Sequence, residues 1–279
     1  MSDELVTPQA SSLPHAACNT CPAYTNAQLR KLGLDVSGWD YTVALAGNPN
    51  TGKSTVFNAL TGLRQHTGNW AGKTVTRAEG GFRFQGKRYK LVDLPGTYSL
   101  LSTSADEEVA RDFLLFGQPH VTVIVADATR LERNLNLVLQ ILAITDSVVV
   151  AVNLIDEARR HGIMIDERGL ARDLGVPVVP IVARRGEGLP ELLSTIAQVA
   201  SGAIRPRPRH VPLRDAALER AVKQLVAQIE AVFPNLPQAY WVALRLLDGD
   251  ASIAQAVREG TIGDLTRGQA VAPIALEAA

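Results

Sequence analysis

Short apolar runs closed by glycine or by charge alternate with stretches of helical spacing as far as Gly202. "YTVALAG" (Tyr41 to Gly47) predicts a buried strand, and "GKSTVFNALTG" behind it predicts a helix that stops at Gly62. "RAEGGFRFQGKRYKLVDLPG" predicts two strands joined by a tight turn at Gln85-Gly86, the second ending at Asp93. The β-branched runs "VTVIVADA" and "SVVVAVNLID" suit central parallel strands, with the apolar helix "LERNLNLVLQILAI" between them. "VPVVPIVAR" predicts a further strand, and "GLPELLSTIAQVA" a closing helix. Strands alternating with helices imply an α/β fold, a mostly parallel sheet with helices on both faces and right-handed crossovers. Ligands of such sheets sit at the carboxyl ends of the strands.

The pattern changes at both ends. Residues 1–38 are rich in Ser, Pro and Ala with little periodicity, and are expected to form a flexible arm before a domain over 39–202. "IRPRPRHVP" is too rich in proline for a helix interior, so 203–210 reads as a linker. Beyond it, "LRDAALERAVKQLVAQIEAVF", "PQAYWVALRLLDG" and "ASIAQAVREG" have helical spacing and no strand candidate. They predict a small all-helical domain over 211–262, with a tail from 263 to 279. Tyr240, Trp241 and Leu244 fall at helical spacing and are expected in its core.

Composition narrows the function. The 279 residues exceed one average domain, and 46% are hydrophobic, enough to bury a core. Lys+Arg and Asp+Glu are both 28, so no net charge draws the chain to nucleic acid or an anionic membrane. The most apolar window, "LNLVLQILAITDSVVVAVNLID", is broken by Gln140 and Asp146 and reads as helix, turn and strand. The N-terminus lacks the basic flank and apolar core of a secretory signal. Two cysteines, Cys18 and Cys21, are too few for a disulfide framework, which points to a soluble chain in a reducing compartment.

The chemistry begins with "GNPNTGKST" between a predicted strand and a predicted helix. Gly47, Asn48, Pro49, Asn50, Thr51 and Gly52 would curl so that backbone N–H groups point inward at phosphate oxygens. The helix behind adds its positive end. Lys53 would reach the β- and γ-phosphates, the Ser54 hydroxyl would ligate Mg²⁺, and Thr55 would meet an α-phosphate oxygen.

Asn153 and Asp156 end a buried strand as N-x-x-D. Guanine offers N1–H and N2–H₂ side by side, and one carboxylate accepts from both. Adenine presents a lone pair at N1 instead, and an unpaired buried acceptor costs ~1–3 kcal/mol. Alone, such a pair more often caps the following helix; after this loop and in this order it reads as a guanine selector. Asp93-Leu94-Pro95-Gly96 lies between the two motifs. A plain turn would accommodate it, while in a nucleotide site Asp93 would hold Mg²⁺ through water and the Gly96 N–H would sense the γ-phosphate. Thr74 is the hydroxyl available to close over the metal, and loss of the γ-phosphate would release both segments.

"GNPNTGKSTVFNALTG", "TGNWAGKTV", "LVDLPGTYSL" and "VNLID", in this order, resemble the cytosolic G domain of the FeoB family of bacterial ferrous-iron transport proteins. "PQAYWVALRLLDGD" is similar to that family's helical domain. The resemblance implies a Ras-like P-loop GTPase with slow turnover, tethered to an Fe²⁺ permease. It implies a cytoplasmic location as the soluble part of a bacterial inner-membrane protein. It further implies a K⁺ ion at Asn50 that accelerates hydrolysis, a metal-ligating Thr74, and Gly72 and Lys73 amides lining the transition-state region. Catalysis would then involve Asn50, Lys53, Thr74 and Gly96. Val182, Ala183 and Arg184 would form the guanine-side loop; Val182 has no hydroxyl, so the Ala183 N–H is expected to meet the base. Thr97 follows Gly96, so no Gln orients the attacking water.

Expected partners are a guanine nucleotide and the permease portion, with small accessory iron-transport proteins as further candidates, homo-oligomerisation left open, and no nucleic acid. The alternative is a free-standing GTP-dependent binding switch, as in ribosome assembly. His15-x-x-Cys18-x-x-Cys21 has metal-ligand spacing, yet a tail with two free thiols is the simpler reading.

Overall fold

The computed structural model describes residues 29–262, apart from positions 31, 64, 71–74, 102–103, 210–214, 235, 237 and 261. Among these residues, one sheet comprises β1 (Tyr41–Gly47), β2 (Gln65–Asn69), β3 (Thr76–Phe84), β4 (Lys87–Asp93), β5 (Val121–Asp127), β6 (Val148–Asn153) and β7 (Val178–Pro180). The strands lie in the order β2-β3-β4-β1-β5-β6-β7. From β4 to β7 the neighbours are parallel, and β2 and β3 add an antiparallel edge. The helices are α1 (Lys53–Thr61), α2 (Ala105–Asp112), α3 (Leu131–Leu142), α4 (Ile155–Arg160), α5 (Glu167–Leu174), α6 (Leu189–Ala200), α7 (Ala216–Val232), α8 (Ala239–Leu247) and α9 (Ala251–Arg258). α2 runs on into a π-helical stretch, Phe113–Gly117.

Strand alternation sorts the core into two layers, because successive side chains leave opposite faces. Val43 and Leu45 of β1 join Val123 and Val125 of β5 and Val149 of β6 on one face, under Phe57 of α1 and Ile196 of α6. Ala44, Ile124, Val150 and Val152 point the other way, toward Val138 of α3 and Phe113. Burying a side chain of this kind stabilises the fold by ~1.5–3 kcal/mol. The second layer continues into α7–α9 through Val222, Ile229, Trp241, Val242 and Ile253. Arg111, buried at the end of α2, donates to the Ser252 hydroxyl of α9 at 3.2 Å and ties the two parts together. Asp215 and Asp250 cap α7 and α9 by accepting the Ala217 and Ser252 N–H groups, at 2.7 and 3.0 Å. No helix among the described residues is long and apolar enough to cross a membrane.

Three expectations need correction. The flexible arm expected over 1–38 does not hold for its described part, from Leu29 on: Leu29, Leu34 and Val36 are buried, and Arg77 and Lys90 donate to the carbonyls of Gly33 and Asp35 at 3.0 and 2.5 Å. Isolated leucines carry no period, so their burial against a sheet face was invisible. β2 carries no strand signal either, since "QHTGN" is polar, and it pairs antiparallel with β3 at the sheet edge. Trp241 is core as expected, but Tyr240 is 39% exposed. Within the linker, the Arg207 and Arg209 N–H groups donate to the Gly175 and Leu174 carbonyls, which lays the chain along the end of α5.

Candidate functional site

The loop Asn48–Gly52 leaves β1 and turns into α1, with its sharp bend carried by Asn50 (φ 67°) and Gly52 (φ 83°). Gly52 has a second reason to lack a side chain: a Cβ there would lie 2.3 Å from Asn153 Nδ2. A Cβ on Gly47 would lie 2.6 Å from the Val125 carbonyl oxygen of β5. The Thr51 hydroxyl closes the turn on the Asn48 carbonyl at 3.0 Å. A cleft of about 550 Å³ opens beyond the loop, lined by Asn50, Gly52, Lys53, Ser54, Thr55 and Gly96, together with Asn48 and Pro49. Ser54 and Thr55 are exposed in the first turn of α1, facing the end where backbone N–H groups have no helical partner.

Lys53 is paired with Asp93, at the carboxyl end of β4, and both are largely buried. Burial is the main influence on Asp93 and raises its pKa above the ordinary carboxylate value; the ammonium of Lys53 opposes it without cancelling it. Gly96 packs against Pro49, where a Cβ would come to 3.5 Å from the Pro49 Cα. The Thr97 N–H donates to the Gly47 carbonyl at 3.3 Å, so the stretch after Asp93 is stitched to the loop. Gln140 of α3 holds the next residues, accepting from the Leu100 N–H at 2.7 Å and the Ser99 hydroxyl at 3.2 Å. The sequence showed Gln140 only as a break in an apolar run.

On the other side, Asn153 ends β6 with both ends of its amide hydrogen-bonded. Nδ2 donates to the Thr51 carbonyl at 3.0 Å, and Oδ1 accepts the Ala183 N–H at 3.0 Å. Two expectations change here. Asn153 braces the loop at 48–52 against the loop at 182–185, and the Ala183 N–H expected at the base belongs to that brace. Val182 is buried, and its N–H donates to the Glu187 carbonyl at 3.0 Å. Asp156 stands in the first turn of α4, only 9% exposed, and Arg184 Nη2 donates to its Oδ2 at 2.6 Å. The hydrogen bond from Arg184 is the leading cause that lowers the Asp156 pKa, with the charges of Arg184 and Arg185 adding to it. Asp156 Oδ1 is buried without a hydrogen-bond partner among the described residues.

Of the residues predicted for the site, all from Gly47 to Thr55, with Asp93 and Gly96, meet at the cleft or its walls, while Asn153 and Asp156 stand behind it. Gly72, Lys73 and Thr74 lie outside the described residues, as do His15, Cys18 and Cys21. On either side of residues 71–74, Trp70 is buried edge-on to Phe113 at 5.2 Å, and its backbone N–H donates to the Val75 carbonyl at 3.0 Å.

A seven-stranded sheet with a glycine-lysine loop between β1 and α1, an Asp at the end of β4 and an Asn-Asp pair after β6 defines a P-loop GTPase fold. Comparison with known proteins gives the family. The profile of the family described as "Ferrous iron transport protein B" matches residues 41–196, more than half of the chain. The Fe(2+) transporter FeoB of Salmonella typhimurium is 40% identical over 219 residues, which cover 75% of this chain and 27% of that protein. The chain therefore spans about a quarter of the length of the curated relatives it matches. Among solved structures, the cytosolic domain of L. pneumophila FeoB aligns with a TM-score of 0.72 and 34% identity, covering 81% of this chain and 89% of that one. The cytosolic domain of the T. maritima FeoB iron transporter in a GDP form aligns with 0.70 and 36%, covering 82% and 89%. The chain belongs to the FeoB family, and its sheet and loop are that family's G domain. Nothing in these matches favours a free-standing ribosome-assembly switch.

Proposed function

We propose that this chain binds and hydrolyses GTP as the regulatory G domain, with its helical domain, of a ferrous-iron transporter. One observation carries the reading: Asn153 couples the loop around the cleft to the loop beside Asp156, so that phosphate and base recognition would form one unit. In that unit, loop amides and Lys53 would hold the β- and γ-phosphates, and Asp156 would accept the N1–H and N2–H₂ of guanine. Lys53 would leave Asp93 for the phosphates, which frees the carboxylate. The GDP-bound state of the T. maritima and S. thermophilus FeoB domains supports a guanine nucleotide as the ligand.

The donor set fits Mg²⁺: an exposed hydroxyl on Ser54 and the Asp93 carboxylate are hard oxygens, and phosphates and water would complete the shell. When bound, Mg²⁺ neutralises charge that develops on the transferring phosphoryl group. Ser54 would hold it directly, Asp93 through water, and Thr74 from the first switch. Asn50 sits at the cleft with its side chain exposed, a suitable ligand for K⁺. The Gly96 N–H would sense the γ-phosphate. Thr97, with its N–H committed to Gly47, stands where a Gln would orient the attacking water, which accords with slow turnover.

The chain would work on the cytoplasmic side of a bacterial inner membrane, beside the permease portion of the same protein. GTP turnover in K⁺ and in Na⁺, for wild type and Asn50→Ala, tests the mechanism. Faster turnover in K⁺ that is lost in Asn50→Ala is expected; equal turnover in both salts removes the cation role.

A further inference from the structure

Three guanidinium groups stand within 4 Å of one oxygen of Asp156. Besides Arg184 Nη2 at 2.6 Å, Arg185 Nη2 and Arg160 Nη2 stand 3.8 and 3.7 Å from the same oxygen, Oδ2. The Asp156 side chain is nine-tenths buried, while Arg184 is 53% exposed and leans on Glu157 at 3.8 Å. One partner is therefore fixed and the other is free to leave.

A guanidinium edge presents two parallel N–H donors in a plane, and so does the N1/N2 edge of guanine. Both need the same carboxylate, and a carboxylate this buried has room for one such planar donor. Oδ1, buried and without a hydrogen-bond partner among the described residues, is the oxygen that a second donor would satisfy and that Arg184 leaves unused. We infer that Arg184 acts as a latch on the base site: its guanidinium stands in for guanine on Asp156 and must swing away before the base can dock. The inference rests on the reading of Asp156 as the guanine acceptor and adds what holds that acceptor in the free chain.

The consequence is kinetic. If only the unlatched fraction accepts the base, the observed association rate and affinity are both reduced by that fraction. An ion pair with one exposed partner is weak, which limits the latch to a modest factor. Adding KCl screens it further. The contact exists in the free chain, so association, not dissociation, is where it reads out.

The test is stopped-flow association of a fluorescent guanosine diphosphate with wild type, Arg184→Ala and Arg185→Ala. Arg184→Ala should associate about two- to fivefold faster at low salt, with the ratio falling toward one as KCl rises. Arg185→Ala removes the same charge without removing the hydrogen bond, and should stay near wild type. Arg184→Ala associating at or below the wild-type rate overturns the latch, and so does an equal gain in Arg185→Ala. Asp156→Asn separates this from failure of the underlying reading. Unchanged diphosphate affinity in that variant defeats the base assignment itself, whereas lost affinity with an unaltered Arg184→Ala rate defeats the latch alone.

Discussion

The two ends of the candidate site each hold a carboxylate against a cation, yet physics treats the pairs differently. Lys53 and Asp93 are both largely buried, 11% and 17% exposed, and desolvation outweighs their attraction, so the Asp93 pKa rises. Asp156 is buried, but its partner Arg184 reaches it from solvent, and the hydrogen bond outweighs desolvation, so the Asp156 pKa falls. Under the proposed function, the same chemical pair would serve as a costly placeholder at the phosphate end and as a cheap one at the base end. A buried ion pair is a poor source of stability and a ready site for exchange with a stronger ligand. A triphosphate brings more negative charge to Lys53 than Asp93 does.

The comparison breaks most visibly at the phosphate end. Lys53→Ala should lower GTP turnover by about a hundredfold or more, the scale of losing one aimed charge donor. Turnover within a few-fold of wild type would show that the buried pair has no part in phosphate binding. At the base end, Asp156→Asn should weaken GTP binding by about ten- to a hundredfold and favour xanthosine nucleotides, measured by competition. The join between the ends comes next. Asn153→Ala leaves the Thr51 carbonyl and the Ala183 N–H unpaired, at ~1–3 kcal/mol for each group. A lower melting temperature together with weaker nucleotide binding is expected; a purely local effect on the base would contradict the brace.

The smallest effect sharpens the comparison through pH. The folded-state pKa of Asp93 lies above the ordinary 3.8, so the folded chain binds more protons in that window and loses stability as pH rises through it. For Asp156 the folded-state pKa lies below 3.8, so its contribution is present above 3.8 and is lost as pH falls through the lowered value. Melting temperatures of Asp93→Asn and Asp156→Asn, each taken against wild type without nucleotide, should therefore drift in opposite directions. With rising pH the difference moves toward the variant for Asp93→Asn, above 3.8, and toward wild type for Asp156→Asn, below 3.8. Parallel drifts would mean that the two carboxylates share one environment.

Much of the site was legible because its residues act through local pattern. Gly47, Gly52, Lys53 and Ser54 lie within a single turn and its flanks, and loop geometry there follows from the glycines and from the helix they open. β1, β5 and β6 were legible because runs of Val, Ile and Ala with no polar interruption suit strands covered on both faces. The edge strand β2, the short helices α4 and α5, and the buried Leu29, Leu34 and Val36 were not. Each is too short or too polar for a period, and packing against a neighbour stabilises it.

The chain itself determined the chemistry on offer: a phosphate-curling loop, a lysine, two hydroxyls, and an acid at the end of a buried strand. Those depend on residue types a few positions apart, where covalent geometry and helix and strand periods dominate. Tertiary structure alone decided how the groups are used before any ligand arrives. It turned Asn153 into a brace between loops 102 and 30 residues away, gave its oxygen the Ala183 N–H, and set Arg184 on Asp156. Those outcomes hang on burial and on partners distant in sequence, and no local pattern encodes which buried acceptor a distant donor will reach.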